Sequence, residues 1–431
     1  MALKSAPRPA LLVSDSGGKI FEIPQLQMIG MRMYHPVLPD DTELIPLPNG
    51  SNLFHLPERI ALAYDPRKDE IVQIVNYRGN RVYPVAAFLA PAYTQLFRAA
   101  FLRESETTVR LPLYAYAAVG WRPQGFFTTA IRVDADVRQD LDQFDEQMIE
   151  RGAEVALTRY PNNRLVRHLV ENCVRRYGCP AARNFVLGRW ECPAPVSPSC
   201  NARCVGCISH QQTETGVTAS QERIAFIPSV EEIAEFTVDH LRNAPQAVVS
   251  FGQGCEGEPL TQGLLLEESI TAIRKQTDRG TINLNSNASK PLVIERLCRA
   301  GLDSLRVSVN SVQPEYYERY YRPRDYSFAD VIESIRVARK QRIWISLNYF
   351  IFPGFTDREE EIDALLPLLQ SFRIDMIQMR NLNMDPDWMI EALSLDKDES
   401  SSCGIRKWME RVRQAAPWIR FGYFNPALQA K

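Results

Sequence analysis

The chain has 431 residues, 45% hydrophobic and 24% charged, with a formal net charge of −2. That length exceeds one average domain, and the composition is that of a globular protein able to bury a core. Near-neutral charge disfavours nucleic acid or an anionic membrane as partner; no run of eighteen apolar residues marks a membrane helix, and five histidines without an H-E-x-x-H pattern disfavour a zinc hydrolase.

The start, Met1 to Pro9, lacks the basic-then-apolar layout of a signal peptide. Nine cysteines, an odd and clustered set, add to the expectation of a reducing cytoplasm rather than a disulfide scaffold. Residues 1–133 are rich in Pro, Gly and short β-prone runs: Ile71–Val75, Leu111–Tyr116 and Phe126–Ile131, with turns expected at Asn49-Gly50 and Arg78-Gly79-Asn80. A β-rich or α+β N-terminal domain is predicted. Residues 134–183 read as a helical bridge. Leu141, Phe144, Met148 and Val155 fit helical periodicity. A basic helix follows, whose Arg164, Arg167, His168, Arg175 and Arg176 read as a solvated face, and Gly178-Cys179-Pro180 ends the bridge.

From residue 184 to 385 the pattern alternates. Strands are predicted at Phe185–Leu187, Ala247–Phe251, Thr281–Asn285, Ser304–Val309, Ile343–Asn348 and Met376–Met379. Helices are predicted at Val230–Arg242, Leu264–Thr277, Pro291–Ala300, Phe328–Arg342 and Arg358–Ser371. Such alternation implies a parallel sheet with crossover helices, whose ligands collect at the C-terminal strand ends. Periodicity alone does not separate a barrel from an open sheet. Residues 386–431 read as a C-terminal extension completing the barrel.

After the first predicted strand comes Cys200-Asn201-Ala202-Arg203-Cys204-Val205-Gly206-Cys207, a C-x3-C-x2-C triplet. Nine cysteines placed at random would produce that spacing only about 0.004 times per chain. Three thiolates on one short loop can hold three irons of a [4Fe–4S] cluster and leave the fourth iron open to a small molecule. The second strand ends in Gly252-Gln253-Gly254-Cys255-Glu256-Gly257-Glu258-Pro259. Glycines there permit close backbone approach, and a carboxylate can accept hydrogen bonds from a ligand ammonium group. The third and fourth strands end in Asn285-Ser286-Asn287 and Ser308-Val309-Asn310-Ser311, short polar groups suited to ribose hydroxyls or to capping helices.

In order and motif, residues 186–382 resemble the radical S-adenosylmethionine superfamily. The resemblance runs from the cysteine triplet through Glu256-Gly257-Glu258-Pro259, Asn285-Ser286-Asn287 and Val307–Ser311, with Tyr317 and Arg322-Pro323 downstream, to Pro353-Gly354-Phe355-Thr356-Asp357. It implies a partial (β/α)6 TIM-type barrel beside the N-terminal domain, an α/β fold. It also implies a [4Fe–4S] cluster on Cys200, Cys204 and Cys207 whose open iron is chelated by S-adenosylmethionine. Gly257 and Glu258 would then meet the methionine amine. Ser286, Asn287, Ser308 and Asn310 would lie near ribose or carboxylate, and the backbone at Gln378, Met379 and Arg380 near adenine. Glu256 departs from the family's Gly-Gly-Glu-Pro pattern. By the same resemblance an electron from a reductant such as flavodoxin or ferredoxin cleaves the cofactor to a 5′-deoxyadenosyl radical, which takes hydrogen from a substrate.

No catalytic residue toward that substrate is legible. A step in small-molecule or cofactor biosynthesis is the expected use; modification of a protein, peptide or RNA is the alternative, and a non-enzymatic iron–sulfur or zinc-binding protein the second. Zinc would want a fourth ligand, for which Cys192, Cys255 and His210 are candidates. Cys173, Cys179 and Cys192 are too widely spaced to predict an auxiliary cluster. Cys255 reads as packing or a hydrogen donor, Cys298 as core, Cys403 as incidental. Tyr316, Tyr317, Tyr320 and Tyr321 read as packing and lid residues.

Overall fold

A computed structural model describes residues 8–396 and 402–428. Met1 to Pro7 of the predicted leaderless start, and residues 397–401 and 429–431 of the predicted C-terminal extension, lie outside the described residues. Among the described residues no helix is long and apolar enough to cross a membrane.

Seven parallel strands form a curled half-barrel in sequence order: β1 (Glu191–Pro193), β2 (Val248–Phe251), β3 (Thr281–Ser286), β4 (Ser304–Val309), β5 (Trp344–Ile351), β6 (Met376–Asn381) and β7 (Arg420–Gly422). Crossover helices join them: α1 (Val230–Asn243), α2 (Gly263–Arg274), α3 (Pro291–Ala300), α4 (Phe328–Lys340), α5 (Glu359–Phe372) and α6 (Ile405–Ala415). Local chemistry sets their limits. Ser229 and Glu232 form a capping box on α1, as do Ser327 and Asp330 on α4. Pro291 opens α3, and Gly301, at φ +114°, closes it in the left-handed region.

The sheet has one strand more than the six predicted, since the segment after α6 adds β7 alongside β6. Its first strand is also displaced. Phe185 and Val186 belong not to a strand but to a helix, Pro180–Val186, capped by Leu187, which begins with proline at its first turn and continues through Ala181 and Ala182. Phe185 faces inward against Phe236 of α1, ring centroids 5.3 Å apart. The bridge differs too. In the helix Glu146–Arg159 the buried face is Ile149, Ala153 and Ala156, whereas Met148 and Val155 are exposed, as is Leu141 before it. Close approach explains the preference for small residues: a Cβ on Gly152 would lie 2.1 Å from the Val186 carbonyl oxygen. The basic segment that follows is neutralised, Arg164 by Glu232, Arg175 by Glu150, Glu154 and Glu171, and Arg176 by Glu222.

The N-terminal region holds a large antiparallel sheet, a three-stranded sheet and a small hairpin turned at Arg78-Gly79, both at positive φ. Glu70–Ile74 and Gly125–Arg132 are strands, close to prediction. Leu111–Tyr116 is not. Pro112 has no N–H to give a ladder, its carbonyl accepts from Tyr114 N and the Tyr116 hydroxyl, and Leu111 N donates to Asp385.

This region closes on the C-terminal ends of β5 and β6. Gln95 N donates to Asn381 Oδ1 (2.8 Å), Asn381 Nδ2 to Tyr93 O (3.0 Å), and Met33 N to Pro353 O (2.9 Å). Met28, Met33, Leu96 and Phe97 join the apolar core of the half-barrel. Arg59 and Asp385, 0% and 2% exposed, pair at 2.8 Å across this contact. Truncating one member of such a pair strands the other charge, at a cost of about 3–5 kcal/mol. Arg59→Ala or Asp385→Ala is therefore expected to lose that much in chemical denaturation, and Arg59→Met with Asp385→Leu clearly less than either single change.

Candidate active site

The cysteine triplet lies in the loop after β1 and is held from two sides by backbone. On one side Gly257 N donates to Ser197 O (2.7 Å) and Glu258 N to Ser199 O (2.8 Å). The approach is so close that a Cβ on Gly257 would lie 1.9 Å from the Ser199 oxygen. On the other side Arg203 N and Val205 N donate to Tyr321 O and Tyr320 O, Arg324 N donates to Asn201 O, and Ala202 bridges Pro323. Tyr317, Tyr320 and Tyr321 are buried, with Tyr317 stacked on Tyr321 at 4.4 Å. They form the packed wall behind the loop.

Glu258 is buried at the end of the β2 loop. Its carboxylate accepts from Ser286 Oγ (2.6 Å), Asn287 N (2.9 Å) and Leu260 N (3.0 Å). Burial pushes the acid up to about 6 against the pull of those donors. Asn287 Nδ2 donates to Asn201 Oδ1 (2.9 Å), and Asn201 Nδ2 to Ser289 and Asp325. Three predicted site residues, Glu258, Ser286 and Asn287, thus form one network with the cysteine loop, to which Gly257 is joined through its backbone. Ser308 and Asn310 stand on β4 and just beyond it, outside that network. Asn310 Nδ2 donates to Tyr316 O, while its Oδ1 is buried without a partner.

Gln378, Met379 and Arg380 lie on β6, away from Glu258. Gln378 Oε1 accepts from Arg306 Nη1 (3.0 Å), although β5 separates their strands, so this bond crosses the concave face of the sheet. Asn425 ties the same face together through Gln378, Ser250 and Glu191. Arg380 donates to Tyr423 O (2.6 Å), and Met379 O accepts from Thr94 Oγ1 (3.3 Å). Burial, with the Arg380 charge beside it, pulls Arg306 down to about 9.

Residues 194–366 match the model of the radical SAM superfamily. These residues are a radical SAM domain. The chain is 27% identical over 182 residues to a probable GTP 3′,8-cyclase of Aeropyrum pernix, a span covering 42% of this chain and 48% of that protein, so the match reaches about half the relative's length. Solved structures that resemble it in part include a methylornithine synthase (14% identity, TM-score 0.37, 66% of this chain and 74% of that one). Another is SuiB of Streptococcus suis with its precursor peptide (14%, 0.38, 57% and 53%). At those scores neither likeness extends to the chemistry of this chain. The superfamily's cofactors are a [4Fe–4S] cluster and S-adenosylmethionine, and the radical SAM domain is an enzyme domain.

The donor set suits that cluster. Three thiolates on one short loop can hold three irons of such a cluster and leave the fourth iron open. Burial pushes the Cys200 thiol up to about 11 and Cys204 well above its ordinary range. Arg223, which no sequence motif marks, directs Nη2 toward Cys207 Sγ (3.7 Å) and Nε toward Ser209 Oγ.

Glu256, the departure from the family pattern, is a buried anchor. Oε1 accepts from Gly252 N and Gln253 N (both 2.7 Å), and Oε2 from Val196 N (2.8 Å) and Ser197 N (3.0 Å). Burial pushes it up to about 7 while these donors pull it down. With two donors on each oxygen a proton would find no acceptor, so the carboxylate is the form this loop holds.

The close contact at Gly257 has a direct test. Gly257→Ala should force the two loops apart, so that reconstituted iron falls severalfold below wild type and thermal stability drops; wild-type iron content in this variant would contradict the role given to the contact.

Proposed function

We propose that the protein is a radical SAM enzyme in which Cys200, Cys204 and Cys207 hold the cluster, and Gly257 and Glu258 receive the methionine amine. A cluster held there would supply one-electron reductive cleavage of S-adenosylmethionine, the chemistry that would start hydrogen abstraction from a substrate. The observation that carries this reading is the closed ring of hydrogen bonds from the cysteine loop through Gly257 and Glu258 to Ser286, Asn287 and back to Asn201. In this reading the ammonium group meets the buried Glu258 carboxylate beside the Gly257 backbone. Ser286 and Asn287 orient the carboxylate. The unpartnered Asn310 Oδ1, together with Ser308, supplies acceptors for ribose hydroxyls, and the backbone of residues 378–380 is the proposed adenine edge.

The substrate we infer is a small polar molecule. The concave face beneath this ring carries Arg306, Gln378 and Arg380, and the N-terminal region covers the strand ends where a macromolecule would have to enter. An external reductant of the flavodoxin or ferredoxin class and a cytoplasmic setting belong to the same reading, in keeping with nine free cysteines.

One assay tests both parts. Protein reconstituted anaerobically with iron and sulfide is incubated with dithionite and S-adenosylmethionine, and 5′-deoxyadenosine is measured. Wild type should form it. Cys204→Ala should lose both the brown chromophore and product, while Glu258→Gln should keep the chromophore and bind S-adenosylmethionine about tenfold or more weakly, the worth of one charge-assisted hydrogen bond. An intact cluster that forms no 5′-deoxyadenosine would sink the enzyme reading. Stimulation by the dialysable fraction of a cell extract supports a small substrate; stimulation by the macromolecular fraction alone would replace it with a peptide or RNA.

A further inference from the structure

Two segments far apart in sequence meet behind the β2 loop. His168 and Cys173 lie in the helical run 164–176, and Cys255 directly precedes Glu256. Their ligand atoms all lie within 4.8 Å of one another, the one such group of histidine, cysteine and carboxylate side chains among the described residues. Cys173 Sγ and Cys255 Sγ are 3.5 Å apart. Two thiolates at about 2.3 Å from one tetrahedral ion stand roughly 3.8 Å apart, so the pair needs only a few tenths of an ångström of adjustment. His168 Nε2 is buried and has no hydrogen-bond partner. A cavity of about 40 Å³ opens beside the pair, and a further thiol, Cys179, is in its wall together with Tyr177, Gln221 and Gln253.

From this geometry we propose a second, mononuclear metal site, in which His168, Cys173 and Cys255 bind a zinc-class divalent cation and Cys179 completes the tetrahedron across the cavity. One imidazole nitrogen and two or three thiolates are a soft donor set of the kind zinc takes, and the short spacing suits one ion rather than a cluster. Binding displaces a proton from each thiol that ligates, so ion and protons exchange without any redox step. A bound ion would fasten the helical run to the loop from which Glu256, Gly257 and Glu258 emerge. Cys255 O accepts from Ile224 N (2.7 Å), and Asn172 Nδ2 reaches Glu222 O, so the same seam already joins these segments.

The test is metal analysis of the full chain, purified anaerobically without chelators from zinc-supplemented cells. One equivalent of zinc is expected beside the iron. His168→Ala, Cys173→Ser and Cys255→Ser should each retain zinc on the order of tenfold less, with iron at the triplet preserved. Cys204→Ala should lose iron and keep zinc, which separates this site from the cluster. If the site variants fold poorly, cobalt added to zinc-stripped Cys204→Ala protein should give the intense visible bands of tetrahedral thiolate coordination. Absence of both zinc and those bands would overturn the proposal. So would zinc retained after all three ligands are replaced, extra iron lost in their place, or a Cys173–Cys255 disulfide recovered from the anaerobic protein.

Discussion

A single buried carboxylate sets the geometry on which the active-site end depends. Glu256 spends both oxygens on backbone N–H groups, two from the segment leaving β1 and two from the turn leaving β2. Those are the segments that carry the cysteines and the Gly-Glu-Pro run. In a low-dielectric interior such a group is stabilising only when all its acceptors are used, and here they are. The residue that breaks the family's usual glycine pair therefore replaces a flexible joint with a fixed one. The two loops then lie close enough for backbone bonds at Gly257 and Glu258, and from there the network runs to β3.

The N-terminal region extends the same logic outward. It binds the upper ends of β5 and β6, where Gly354, at φ +92°, packs so tightly that a Cβ would lie 2.6 Å from Met33 N. Asp357 accepts from Gly354 N and Gly404 N and holds that corner shut. A region with no catalytic motif of its own is thus fixed against the strand ends of the half-barrel.

Much of this was legible in the residues because ligand geometry and helix termini restrict local sequence. The cysteine spacing, the strand-end polar runs and the limits of α3, between Pro291 and Gly301, all follow from short-range rules. What was not legible depends on distant neighbours. β1 is three residues long and includes a proline, too brief for any alternation to show, and Phe185–Leu187 offered a more β-prone but false start. Met148 and Val155 fit a helical period, but the helix buries its small residues, since another helix approaches at Gly152. The anchoring role of Glu256 was hidden because its four partners come from two separate loops. The meeting of His168 and Cys173 with Cys255 spans 82 residues between the thiols, and no spacing rule reaches that far.

The Arg59–Asp385 pair carries a consequence for how the molecule is made. The two residues are 326 positions apart. During synthesis the N-terminal sheet leaves the ribosome with Arg59 destined for a site that excludes water, and its counter-charge is absent until nearly the whole barrel has been translated. A guanidinium cannot be buried alone without a penalty of several kcal/mol. The contact between the N-terminal sheet and the half-barrel can therefore close around Arg59 only once the far end of the chain is present.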